Sequence, residues 1–325
     1  MTPLEFERLY QPEWEELKQS LTRVRGWRFA KRKEPVAGDR VAALYRRACE
    51  HLALARARAY PAYLTDRLEQ LTADAHQLIY QQSEFGLLRL KRFVTTDFPR
   101  AVRAHSGYVW VALALFAVPM LVLGTLVYFR PELILSVVDP LTAARFEQMY
   151  SKSAETLGRV RGAQGDWEMF GFYIRNNITV AFQCFASGLF LGLGSLFFLA
   201  FNGALAGAVA GYLTRKGLSE TFYSFVVTHS AFELTAIVLA GAAGLRLGHA
   251  LLAPGRRTRL QALVVAAKES SAIVYGLSGM LLVAAAIEAF WSSATWMPLT
   301  MKYGVAAVCW IAVLGYLIRQ GRHAG

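Results

Sequence analysis

The chain is poor in the residues that redox and hydrolytic chemistry most often needs. It holds three cysteines, Cys49, Cys184 and Cys309, and none belongs to a CxxC pair. One falls in a polar N-terminal region and the other two in separate apolar segments, so neither a disulfide framework nor a zinc site is expected. Histidine is scarce, no HExxH run occurs, and no Gly-x-Ser-x-Gly elbow is present. These absences leave no complete catalytic set, and the reading is of a protein that is not an enzyme, with no metal and no cofactor. The N-terminus also lacks the short apolar core of a secretory signal, which predicts that the first region stays on the side of the membrane where it is made. Charge is missing most conspicuously from Gly107 to Phe129, 23 residues without a single charged side chain. About 20 apolar residues suffice to cross the hydrocarbon core of a bilayer.

What is present fits that crossing. Hydrophobic residues make up 55% of the sequence, concentrated after residue 106, whereas residues 1–106 carry 19 Lys/Arg and 13 Asp/Glu. The chain is therefore read as all-α: a soluble helical head over 1–106, then a polytopic helical membrane bundle over 107–325. Leu4, Leu9, Trp14, Leu17 and Leu21 mark one amphipathic helix. A loop with Lys31, Arg32, Lys33, Pro35 and Gly38 leads to a second, about Asp39 to Ala59, and a third covers Tyr63 to Gln82. Three such helices can cover one another's apolar faces. From Leu87 to His105, leucines and phenylalanines alternate with Arg89, Lys91, Arg92, Arg100 and Arg103, a composition suited to anionic lipid headgroups. The net charge of +12 is assigned to membrane orientation rather than to nucleic acid.

Beyond the first span, residues 130–175 balance six basic against six acidic residues, as an extracytoplasmic loop can. Pro131, Pro140 and Gly165 break it, and Leu141 to Gly158 is expected to be helical. The apolar run Ile178 to Leu213 is long for one crossing and short for two. It is divided here at Asn202 and Gly203 into a full span and a short or re-entrant segment, Gly203 to Leu213. Further spans are expected at Thr221 to Leu245, Ser270 to Trp291 and Leu299 to Ile318. Between the first two of these lies Arg246 to Lys268, which carries Arg246, Arg256, Arg257, Arg259 and Lys268 with no acid and is expected in the cytoplasm. Counting the short segment, about six crossings leave both termini cytoplasmic in the inner membrane of a bacterium.

Two sets of residues inside the spans carry information. Glycines recur at four-residue spacing, Gly188 and Gly192, then Gly203, Gly207 and Gly211, then Gly244 and Gly248, a pattern that lets helix backbones approach. Polar residues form the second set, because a charge at the bilayer centre costs about 2.5–3.5 kcal/mol on insertion scales. Asn176, Asn177, Asn202, His229 and Glu233 are the candidate intramembrane polar cluster, and Glu288 is placed at the interface beside Trp291 and Trp296. His229 and Glu233 share one helical face. A structural buried pair, a proton or ion relay, and a metal or hydrolytic site all remain open for them. The metal reading is short of ligands, since one His and one carboxylate do not make a zinc site.

Several of these residues carry a resemblance. The pair Asn176 and Asn177, the glycine-rich stretch ending in Asn202 and Gly203, and above all the run from Thr228 through His229 and Glu233 to Ala236, followed by Ala240 to Gly248, resemble the stage II sporulation protein M family over most of Gly107 to Gln320. The resemblance implies an integral membrane protein whose sporulation members work with a lytic transglycosylase-like partner and a second membrane protein in peptidoglycan remodelling. It does not imply an intrinsic hydrolase, and the long basic head departs from the short sporulation form. Two functions follow as expectations: a non-enzymatic scaffold of the cell envelope with protein partners or a second copy of itself, or a transporter or channel using His229, Glu233 and Asn202.

Overall fold

The computed structural model describes residues 1–26, 38–80, 86–151, 163–294 and 296–322. Twelve α-helices occur among them and no strands, and the chain divides into two compact units, Met1–Arg89 and Leu90–Gly325. The division therefore precedes residue 106: the segment from Leu90 onward belongs with the bundle.

The first unit is a three-helix domain of α1 (Pro3–Gly26), α2 (Gly38–Ala57) and α3 (Ala62–Tyr80). Its core stripe on α1 is Phe6, Trp14, Leu17 and Leu21, all buried, with Tyr10 packed against it. Leu4 and Leu9 are exposed at 74% and 56%, so the stripe runs one face over from the one read in the sequence. Spacings of four and three residues through Phe6, Tyr10, Trp14, Leu17 and Leu21 satisfy the helical period, which the five-residue steps at Leu4, Leu9 and Trp14 do not. Ion pairs rim this core, among them Arg40 to Glu16 at 2.7 Å, and Arg67 to Glu7 and Glu15, each at 2.9 Å. The basic loop expected around Lys31, Arg32, Lys33 and Pro35 lies outside the described residues.

The helix α4 (Gly86–Arg92) passes through a π-helical turn, Phe93–Asp97, into α5 (Phe98–Ala104). Leu87, Leu88 and Leu90 are exposed, while Phe98 and Val102 are buried in the bundle, the Phe98 ring lying where a Cβ on Gly276 would be. Arg89, Lys91 and Arg92 remain exposed. Arg100 and Arg103 instead donate to the carbonyls of Gly321 and Leu317, at 3.0 and 2.9 Å. Cations at a helix C-terminus satisfy its free carbonyls and offset its dipole.

The bundle follows as α6 (Ser106–Phe129), α7 (Pro140–Tyr150), α8 (Ala163–Ala186), α9 (Leu193–Arg215), α10 (Ser219–Leu252), α11 (Arg259–Ala286), which continues as a π-helix over Ile287–Ser292, and α12 (Leu299–Arg319). Five of these helices, α6, α9, α10, α11 with its extension, and α12, are long and apolar enough to cross a membrane. Between Phe129 and α8, Pro131 opens a 3-10 turn and Asp139 caps α7, accepting from the amides of Leu141 and Thr142 at 3.0 Å each. The expected helix to Gly158 ends at Tyr150 within the described residues, and Gly165, expected to break the chain, lies inside α8.

The break in the long apolar run does not fall at Asn202 and Gly203. It falls at 187–192, where Gly192 takes φ +84° and caps α9 in a left-handed conformation open to glycine. Asn202 donates its side-chain N–H to the Phe198 carbonyl four residues back, at 2.7 Å, and leaves the helix unbroken. No short segment results: α8 and α9 are both of full length. The helix α8 runs between the same two ends as the five apolar helices. Its Trp167 and Phe170 rings meet Phe290, and near its other end the Cys184 carbonyl accepts from Ser195. Six helices therefore join the two ends. The expected basic loop of 246–268 also shrinks to 253–258, because α10 runs on to Leu252 and α11 starts at Arg259, behind a capping box of Thr258 and Gln261. Arg246 pairs with Glu269 at 2.7 Å, one residue beyond the stretch that lacks acids.

At the centre stands α10, which touches α6, α8, α9, α11 and α12. Its run Ala236 to Gly244 is buried residue after residue. Glycine makes this packing possible. A Cβ on Gly188 would lie 2.1 Å from the Gly244 carbonyl oxygen, and one on Gly248 would lie 2.2 Å from the Gly192 amide nitrogen. On the opposite flank, Cβ atoms on Gly203, Gly207 and Gly211 would meet the carbonyl oxygens of Phe116, Met120 and Gly124 at 2.0–2.1 Å. The glycine sets seen in the sequence thus seat the α8–α9 turn on α10, and α9 on α6.

Candidate functional site

The polar side chains of the bundle gather where α10 meets the end of α11. His229 is buried, 4% exposed, with its Nδ1 3.0 Å from the Ser292 hydroxyl and its Nε2 3.8 Å from Glu233 Oε2. Glu288 closes the group from α11's π-helical extension: one ligand-capable atom from each of His229, Glu233 and Glu288 lies within 4.8 Å of the others. The π-helix widens the turn there and leaves Glu288 and Ser292 both buried. Glu288 is 9% exposed, and its Oε2 has no hydrogen bond of normal geometry.

A second ring of groups holds this core. Lys302, near the start of α12, is 6% exposed and donates to the Ser292 carbonyl at 2.8 Å, placing a cation at the end of the π-helix. Thr228 reaches the Lys302 carbonyl at 3.5 Å, and the Trp310 indole N–H donates to the Val227 carbonyl at 3.2 Å. From α7, the Tyr150 ring stacks edge-on against Phe222 and Phe225, and Phe225 in turn against His229. Burial, followed by the carboxylates of Glu288, the Tyr173 phenol and Glu233, pushes the Tyr150 phenol above its ordinary pKa. Nearby, Glu147 on α7 accepts from the Tyr212 hydroxyl and from Lys216 Nζ, the latter at 3.1 Å. Those two donors, Tyr212 first, hold its carboxyl below the usual range, and this contact pins α7 to the end of α9.

Of the polar residues expected to cluster, His229 and Glu233 do so. Asn177, 1% exposed, takes a bond from Asn176 at 3.1 Å and lies with its side-chain amide beside Glu288, at the edge of the cluster. Asn202 turns back on its own helix and is not among the residues joined here. Glu288, Ser292 and Lys302 are what sequence reasoning missed as members. The lysine three residues inside an apolar span was the one available signal, whereas Glu288 looked interfacial because tryptophans flank it.

The opposite end of the bundle carries its own polar layer. Tyr108 bonds to His249, and Glu269 lies between Arg246 and His105. On one side of the bundle a groove of about 420 Å³ is lined by Val109, Trp110, Leu113, Leu234, Val238 and Leu314. Its walls are almost wholly apolar, with Arg103, Ser106, Thr235 and Arg322 as the polar residues among its lining.

Fold and site together define a polytopic α-helical membrane protein with a largely buried histidine–carboxylate cluster and an N-terminal helical domain. Residues 111–293, more than half of the chain, match the family Stage II sporulation protein M, and the chain belongs to that family. Residues 4–81 match a Domain of unknown function (DUF8413). No curated protein and no solved structure matches the chain.

Proposed function

We propose that this protein is a non-enzymatic scaffold of the bacterial inner membrane, with its head on the cytoplasmic face and 130–175 outside, serving partners that remodel the cell envelope. The observation that carries this reading is the core of α10. Between His229 and His249 the run Ala236 to Gly244 is apolar and buried, so α10 offers the polar cluster no polar continuation toward the other end. A transport path needs such a continuation or a water-filled cavity at membrane depth. The orientation is supported by charge: Arg256, Arg257 and Arg259 beside the 253–258 turn lie with Arg319 and Arg322 on the side where α6 begins. The peptidoglycan role rests on the family alone, with the head as the added module.

Affinity purification of the tagged full chain from native membranes is expected to co-isolate envelope proteins in stoichiometric amount, with part of that set lost on deletion of 1–89. Recovery of the chain alone, with a head deletion that is silent in cells, would overturn the scaffold. The transporter reading draws on the buried His229, Glu233 and Glu288. It would gain if proteoliposomes showed an ion or proton flux that Glu233→Gln abolished; none above protein-free vesicles is expected.

A further inference from the structure

We propose that His229, Glu233 and Glu288 form a binding site for one divalent metal ion of the zinc class, clamped between α10 and the end of α11. Three features of the cluster point to a cation. Two carboxylates and an imidazole converge within 4.8 Å, His229 and Glu288 buried and Glu233 partly so, where two uncompensated negative charges repel and are poorly solvated. Glu288, a side chain more than nine-tenths buried, leaves its Oε2 without a hydrogen bond of normal geometry, the Asn177 amide being the polar neighbour beside this carboxylate. The imidazole is also oriented as a ligand: Ser292 engages Nδ1 at 3.0 Å, which leaves Nε2 directed at Glu233. Metal-bound histidines characteristically spend their second ring nitrogen on such a partner.

The chemistry of the set suits zinc. One imidazole nitrogen and two carboxylate oxygens supply three ligands, and a water completes a tetrahedral shell. The carboxylates balance a divalent charge, so the loaded site is electrically neutral, as burial requires. Tetrahedral Zn–N and Zn–O bonds put ligand atoms about 3.4 Å apart. The 3.8 Å between Nε2 and Glu233 Oε2 is close to that, and Glu288 closes the rest by a side-chain rotation. Sequence spacing hid the site because the third ligand lies 55 residues beyond Glu233, on another helix. Bound there, the ion is a staple: it ties the π-helical extension to the central helix and holds Ser292, and through it Lys302 and the start of α12.

The test is zinc retention by the full-length protein in detergent. Chelator-stripped protein is titrated with Zn²⁺ alone, desalted and analysed for metal, and Co²⁺ is bound in parallel for its visible d–d absorption. The expected result is one equivalent per chain, a Co²⁺ spectrum of tetrahedral intensity that Zn²⁺ bleaches, and a higher melting temperature with Zn²⁺. His229→Ala and Glu288→Gln should each weaken retention at least about tenfold, whereas Glu132→Gln, an exposed carboxylate in the 131–136 turn, should leave it unchanged. A wild-type ratio near zero without a Co²⁺ band overturns the site, and this result does not depend on whether the variants fold. Equal retention in wild type and both variants overturns it as well.

Discussion

Trp14 and His51 form a buried polar pair in the N-terminal helical domain whose imidazole titrates. The indole N–H of Trp14 donates to His51 Nδ1 at 3.1 Å, with Phe6 and Tyr10 packed on the imidazole. Burial pulls the pKa of His51 below its ordinary value of 6.5. The unfolded chain then binds a proton that the folded head does not, so this group's stability contribution is complete above its unfolded pKa and is lost as pH falls toward the folded one. Hydrogen exchange of α1 and α2 in the full-length protein, corrected for intrinsic rates, should show less protection at about pH 5.5 than at about pH 7.5. His51→Gln keeps an acceptor for Trp14 without titrating and should flatten the difference; an unchanged pH dependence would show that another group governs it. Residue identity alone revealed His229 and Glu233 as neighbours, because a four-residue separation on one helix is a local fact. It did not reveal Glu288 or Lys302, whose roles depend on how α11 and α12 meet α10.

At the scale of elements, glycine decides which helices can touch. The sequence spacing of Gly203, Gly207 and Gly211 marked a close face but not its partner, which is α6. A side chain on Gly207 meets the Met120 carbonyl oxygen, part of a backbone that cannot swing aside. Gly207→Val is therefore expected to destabilise the bundle by about 1–3 kcal/mol or more, read as a lowered unfolding temperature in detergent. Gly279→Ala, where a Cβ meets nothing within 4 Å, should stay within about 0.5 kcal/mol of the parent. The helix break shows the limit of local reading from the other side. Asn202 beside Gly203 is a strong turn signal in water, but an asparagine that bonds its own helix carbonyl and a glycine that admits a neighbour both favour continuing the helix. The true break needed Gly192 at positive φ.

For the whole molecule, six helices joining two ends require that residues 216–218 and 253–258 lie at opposite ends. Single cysteines introduced at Lys216 and Arg256, in a chain whose three native cysteines are replaced, should label from opposite faces of sealed vesicles, with Arg256 facing the cytoplasm. Labelling of both from one face would remove a crossing. Composition and hydropathy by themselves determined that this chain is all-helical, that its first part is built of charged, amphipathic helices and that the remainder crosses a membrane, because those properties follow from local periodicity and from the cost of burying charge. The same residues, read as motifs, carried the family. Only the tertiary structure decided where the long apolar run divides, which glycine faces which backbone, and that Glu288 joins His229 and Glu233. Each of these depends on contacts between helices distant in sequence, and the sequence records the faces of those helices but not their pairing.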